Sequence, residues 1–141
     1  MSAVPRILAP FLGLLIASMP AAADPRPRLE IRGASAGGGK LHVSVFDGEA
    51  AYSARRPCKI AELEPMDAAP LLLDLPEGEY LVWVFQDLDG DGDLDSSFLG
   101  IPKEPVGLSA WDGKGPPGGF GRHKVRLGGD APTVVLRLFS L

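Results

Sequence analysis

Cysteine is nearly missing from this sequence: Cys58 is the only one in 141 residues, so no disulfide can close within a single copy of the chain. Its expected place is the interior, where a free thiol behaves as a small apolar group. Histidine is almost as scarce. His42 falls in one strand-like stretch and His123 just before another, too few and too isolated for a catalytic zinc centre, and both are read as strand-surface residues. Positive charge is in deficit, with 14 Lys and Arg against 18 Asp and Glu and a formal net charge of −4, which argues against nucleic acid as a partner. Catalytic signatures are missing too, since no Gly-x-Ser-x-Gly elbow occurs. Gly113-x-Gly115-x-x-Gly118 matches a dinucleotide fingerprint in letters only: no strand precedes it, and Pro116-Pro117 block the helix that would hold a pyrophosphate. Gly107 to Lys114 misses the phosphate-loop spacing by one residue and lacks the Ser or Thr that should follow.

Long apolar runs are absent except at the start. Arg6 precedes the run Ile7 to Met19 and then Pro20-Ala21-Ala22-Ala23, small residues of the kind a signal peptidase reads. Pro10 and Gly13 break the run, which is shorter than the about 20 residues a spanning helix needs. The expectation is a cleaved export signal over 1–23, cut between Ala23 and Asp24, leaving a periplasmic or secreted chain with no membrane span. Asp24 at the cut gives no acceptor for a lipid anchor. Residues 24–141 suit a single domain that buries about two-thirds of its unfolded surface.

What is there has the period of strands. Leu29 to Arg32 alternates, and Leu41, Val43 and Val45 share one face while His42 and Ser44 share the other. Gly37-Gly38-Gly39 between them reads as a flexible turn. Cys58 to Leu63 is a weaker strand, Leu71, Leu73 and Leu75 repeat at period two, and Val125 to Leu127 and Val134 to Phe139 complete the set. Tyr80 to Phe85, YLVWVF, is apolar on both faces, as a central strand covered on each side requires. One short turn of helix fits between Ala50 and Arg55. About seven short strands with Gly and Pro turns predict an all-β chain folded as a single β-sandwich of immunoglobulin-like type. In Leu75-Pro76-Glu77-Gly78-Glu79-Tyr80 the proline sets a bend, the glycine accepts a positive φ, and the Tyr80 hydroxyl is placed to reach back to the turn backbone. That stretch resembles a hairpin of the transthyretin-like and carboxypeptidase-regulatory-like sandwiches.

The strand ending at Gln86 delivers the chain into DLDGDGDLD, with aspartate at 87, 89, 91, 93 and 95. A hard cation such as Ca²⁺ takes six to eight oxygens at about 2.3–2.6 Å, and a loop coiled around it turns alternate side chains inward. Asp87, Asp89 and Asp91 would supply carboxylates, Gly92 the sharp turn, Asp93 its carbonyl and Asp95 the closing ligand, with Leu94 tucked into the protein. An EF-hand is excluded by Phe98 at the position of the bidentate glutamate and by the lack of flanking helices. The pattern is closer to calcium loops inserted in β-structure, such as those of integrin-type propellers. A solvated acidic turn is the alternative, because Asp-Gly is also a common hairpin turn.

Taken together, Gly78-x-Tyr80, Gln86 to Asp95, Phe98-Leu99-Gly100-Ile101-Pro102-Lys103-Glu104, Gly107, Ser109, Pro116-Pro117 and Phe120 resemble a family of small exported bacterial proteins known as domain of unknown function 2141. The resemblance implies an exported β-sandwich and no activity. Gln86 stands where that family often has histidine, and Gly121-Arg122-His123 replaces its usual acidic pair.

Ser96 to Arg122 holds so many glycines and prolines that it is expected to form no regular structure, yet its apolar residues suggest a self-packed loop. Trp111, beside Asp112 and Lys114, is suited to stack on a sugar ring or a peptide proline, and equally to plug the core. Trp111, Lys103 and Phe120 are the candidate ligand-binding residues, on a loop that is either a binding surface or a lid. Lys103-Glu104 reads as a surface ion pair. The expected function is a non-enzymatic module of the cell envelope with a Ca²⁺-binding loop, whose partner is a protein, peptide or glycan. A structural or accessory envelope protein is the alternative. An enzyme ranks third, because a cation saturated by five ligand residues leaves no open position for substrate.

Overall fold

The computed structural model describes residues 26–65, 70–129 and 133–141, and the statements below concern these. The expected export signal and its cleavage point lie outside them. No helix among the described residues is long and apolar enough to cross a membrane.

Two sheets form the molecule. In the larger, β2 (Leu41–Phe46) runs antiparallel to β3 (Lys59–Leu63) on one side and to β5 (Gly78–Gln86) on the other, and β5 in turn pairs with β6 (Val106–Leu108). The first residues of β5 also pair with β7 (Val125–Leu127). The smaller sheet has the order β4 (Leu71–Leu72), β1 (Arg28–Arg32), β8 (Thr133–Arg137), with β1 and β8 parallel. Two short helices, α1 (Glu49–Ser53) and α2 (Phe120–His123), complete an all-β sandwich.

Strand alternation explains how the layers face each other. Val43 lies opposite Val84 and Val45 opposite Val82, and with Leu41 and Tyr80 they meet Leu29, Leu73, Leu136 and Leu138 in the main core. Each such side chain, fully buried, contributes about 1.5–3 kcal/mol relative to exposure. The other face of YLVWVF is also covered. Phe46, Leu81 and Leu108 form a second buried cluster, closed by Tyr52 of α1, Phe120 of α2 and Trp111. The expected central, two-sided strand is therefore β5, and α1 supplies the turn of helix anticipated near Ala50. The Tyr80 hydroxyl reaches the Pro76 carbonyl at 2.8 Å, as the turn sequence implies, but Gly78 begins β5 without the positive φ expected of it.

Further expectations fail. Residues 96–122 are not wholly irregular, since they contain β6 and begin α2. Gly107 belongs to β6, where its lack of a side chain serves a close approach: a Cβ there would lie 2.4 Å from the Arg137 carbonyl oxygen and 2.5 Å from a Leu136 methyl. Cys58 is exposed beside edge strand β3, its thiol donating to the Val45 carbonyl at 3.3 Å, and not interior. His123 is buried within α2, not on a strand surface. Its Nε2 accepts the Gly118 N–H at 2.9 Å, which leaves the proton on Nδ1, 3.2 Å from the Ala110 carbonyl. His42 does lie on a strand, stacked on Phe85 with ring centres 4.8 Å apart.

Candidate functional site

The exit from β5 is held by Gln86. Its buried amide accepts the Ser35 N–H at 2.8 Å and donates to the carbonyls of Ser35 at 2.7 Å and Gly39 at 3.2 Å. The triglycine turn is thereby drawn against the loop, and Gly39 passes so close to the Asp87 carbonyl that no side chain fits between them. The turn expected to be flexible is a fitted part of the site.

Asp87 is 3% exposed, and its two oxygens accept the N–H groups of Gly90 at 2.7 Å and Gly92 at 2.8 Å. Both glycines have φ near 80°, the left-handed region that these turns need. Asp89 accepts the Asp91 N–H and Asp91 the Asp93 N–H, so each carboxylate bends the chain two residues on. The coil brings one oxygen each of Asp87, Asp89 and Asp91 within 4.8 Å of one another. Oxygens bound to one Ca²⁺ at about 2.3–2.6 Å lie no more than about 5 Å apart, so the three fit a single coordination sphere. Asp95 contacts the Asp89 carboxyl, and the Asp93 side chain stays outside the trio.

Glu104 closes this loop, a role that reading it as a surface ion pair with Lys103 overlooked. Its carboxylate is 4% exposed, with Oε1 accepting the Leu88 N–H at 2.7 Å and Oε2 the Asp95 N–H at 3.1 Å. A short antiparallel return makes this possible: Ser96 bridges Pro102, and the Lys103 N–H donates to the Asp95 carbonyl at 2.9 Å. Neighbours in extended chain point to opposite sides, so Lys103 faces solvent while Glu104 turns in towards two unpaired donors.

The carboxyls are electrostatically unlike. Burial pushes the Asp87 carboxyl upward, but the Gly92 and Gly90 N–H groups, the Asp89 carboxyl and the nearby His42 together hold it below the usual range. For Asp89 the Asp91 N–H acts downward, yet desolvation, hydrogen bonding with Asp95 and Asp87 and the charge of Asp91 outweigh it and raise the carboxyl to about 6. His42 backs the site, with Nε2 3.5 Å from Asp87 and Nδ1 3.7 Å from Glu62. Its buried Nε2 has no hydrogen-bond partner among the described residues.

Leu94, expected to tuck into the protein, is half-buried and forms part of the wall of a groove of about 730 Å³ on the outer face of the large sheet. Trp83, Phe85, Phe46, Tyr52, Ile60 and Pro117 line it, with Ser44, Glu49 and Arg55 as polar points. A concave, mainly apolar surface with a few polar groups is the usual form of a ligand site. None of the candidate ligand-binding residues Trp111, Lys103 and Phe120 lines this groove, and Trp111 lines a second one. Trp111 and Phe120 share the cluster beneath β5, Trp111 edge-on to Phe139 at 5.5 Å, and Phe120 donates its N–H to Glu49 at 2.8 Å. Lys103 is exposed and lines neither this groove nor a second one beside Trp111. The outward apolar residues of β5, Trp83 and Phe85, are the signal in the sequence for this groove.

The fold and site thus define an all-β sandwich that carries an aspartate-rich loop at the end of its central strand. The chain belongs to the family described as uncharacterised proteins conserved in bacteria, domain of unknown function 2141, whose family model matches residues 29–135. Neither a curated protein nor a solved structure matches the chain.

Proposed function

We propose that this chain is an exported, non-catalytic binding module of the bacterial cell envelope, in which Ca²⁺ held by the aspartate loop shapes the adjoining groove for a peptide or glycan. One observation carries the reading: Leu94 belongs to the acidic loop and to the groove wall at once. The trio Asp87, Asp89 and Asp91 has the spacing of one coordination sphere, and the backbone carbonyl of Asp93 and the carboxylate of Asp95 extend the oxygen donors available. Export to the periplasm or beyond rests on the N-terminal sequence at 1–23. The non-catalytic part is supported by the commitment of His123 to the Gly118 and Ala110 backbone and of His42 to its stack on Phe85.

Calorimetric titration with Ca²⁺, Mg²⁺ and Zn²⁺, followed by capture from envelope extract with and without calcium, tests the two halves. Saturable Ca²⁺ heat and calcium-dependent capture are expected. A flat Ca²⁺ titration removes the metal site.

A second reading has its own observation. Asp87 and Glu104 together satisfy four loop N–H groups from within the chain. A loop so tied can hold its shape as a solvated acidic turn in a structural or accessory envelope protein. Calcium-independent capture, or none, favours that role.

A further inference from the structure

Four positive side chains converge on one groove of a chain whose net charge is −4. The groove, about 650 Å³, includes Arg32 of β1 and Arg137 of β8, which are register partners in the parallel pair. Leu136 and Leu138 face the core, so Arg137 between them projects outward. Like charges placed side by side on a sheet destabilise the pairing unless something neutralises them. Arg122 of α2 and Lys114 of the preceding loop add two more.

The protein's own counter-charge is smaller. Glu30 bonds Arg32 at 2.7 Å, and Asp112 lines the groove while accepting the Lys114 N–H at 3.0 Å. Arg122, Arg137 and Lys114 have no ion-pair partner among the described residues. Four cations against two carboxylates leave room for a dianion. We propose that this groove binds a phosphate monoester carried on a ring, with Arg122, Arg137 and Lys114 around the phosphate and the ring against Trp111. A phosphate monoester carries about −1.5 to −2 charges at neutral pH, guanidinium forks match its oxygens in pairs, and a half-buried indole offers the flat apolar wall a ring needs. None of these residues belongs to the aspartate loop, so the site is independent of calcium.

The test titrates the protein in metal-free buffer at constant ionic strength with glucose 6-phosphate, inorganic phosphate and glucose, following heat and tryptophan fluorescence. Saturable binding of glucose 6-phosphate is expected, with none for glucose. Arg137→Gln and Arg122→Gln should each weaken it about tenfold, the loss of one charge-assisted contact. Their melting temperatures should not fall, because each change relieves repulsion. Inorganic phosphate binding as tightly as the sugar phosphate would overturn the part played by the ring and assign the groove to the free oxyanion. Absence of saturable binding by either phosphate, unchanged affinity in both variants, or lowered melting in both overturns the proposal.

Discussion

Glu104 accepts the backbone N–H of Leu88 at 2.7 Å across sixteen residues of chain, and its second oxygen takes the N–H of Asp95. One buried carboxylate therefore ties the beginning and the end of the aspartate loop to each other. Loop shape depends on a residue outside the acidic stretch.

Glu104→Ala should consequently act on stability before anything else. Two part-buried donors lose their acceptor, and each group left unsatisfied costs up to about 1–3 kcal/mol. Urea unfolding is expected to show a loss in that range or above it, and Glu104→Gln, which keeps one oxygen, a smaller one. A loss near zero for both would mean that water replaces the carboxylate.

Calcium should raise the melting temperature and a chelator lower it. At a free concentration about 100 times the dissociation constant the added stability is about 2.7 kcal/mol. Asp89→Asn and Asp91→Asn each remove a carboxylate of the trio and should abolish the shift. Coincident melting curves in calcium and chelator argue for a solvated turn.

The metal-free loop should respond to acid in a definite sense. The Asp89 carboxyl is raised to about 6, above its ordinary value of 3.8, so folding favours its protonated form. Its contribution is fully present below the ordinary value and is lost as pH rises through about 6. Asp87, held low, contributes in the opposite sense: its stabilisation is present above the ordinary value and is lost as pH falls through the depressed one. Melting of the metal-free protein between about pH 4 and 6 should therefore rise on acidification less steeply, or not at all, in Asp89→Asn than in the parent. An identical pH dependence in the two would place the charge strain elsewhere. Calcium, which needs the ionised carboxylate, should bind more weakly below that window and release protons as it binds.

Gly107→Ala tests the close approach of β6 to β8. The added methyl meets the Arg137 carbonyl oxygen at 2.4 Å, and backbone has to move to admit it. Overpacking of this kind costs about 1–3 kcal/mol. Thermal unfolding with no change would show that β6 can shift freely, and the second buried cluster with it.

Leu94→Ala separates metal from groove. Calcium heat should be retained, because no carboxylate is touched, while calcium-dependent capture of a partner is lost. Loss of both would make Leu94 part of the folding of the loop.

Sequence alone determined whatever depends on neighbours along the chain. Period-two alternation put Leu41, Val43 and Val45 on one face, the apolar run Tyr80 to Phe85 marked a strand covered on both sides, and the spacing of Asp87, Asp89 and Asp91 set carboxylates on one side of a coil. Tertiary structure alone decided the partners that arrive from far away in sequence. The parallel pairing of β1 with β8, the Arg32 and Arg137 neighbours, the burial of Glu104 and His123, and the space that makes Gly107 a strand residue each depend on which segment packs opposite. A hydrogen-bond donor or a passing backbone contributed by a distant segment leaves no periodic trace near the residue that receives it. Local spacing therefore specified the aspartate loop, while the acceptor that closes it and the grooves beside it came only with the packing of the sheets.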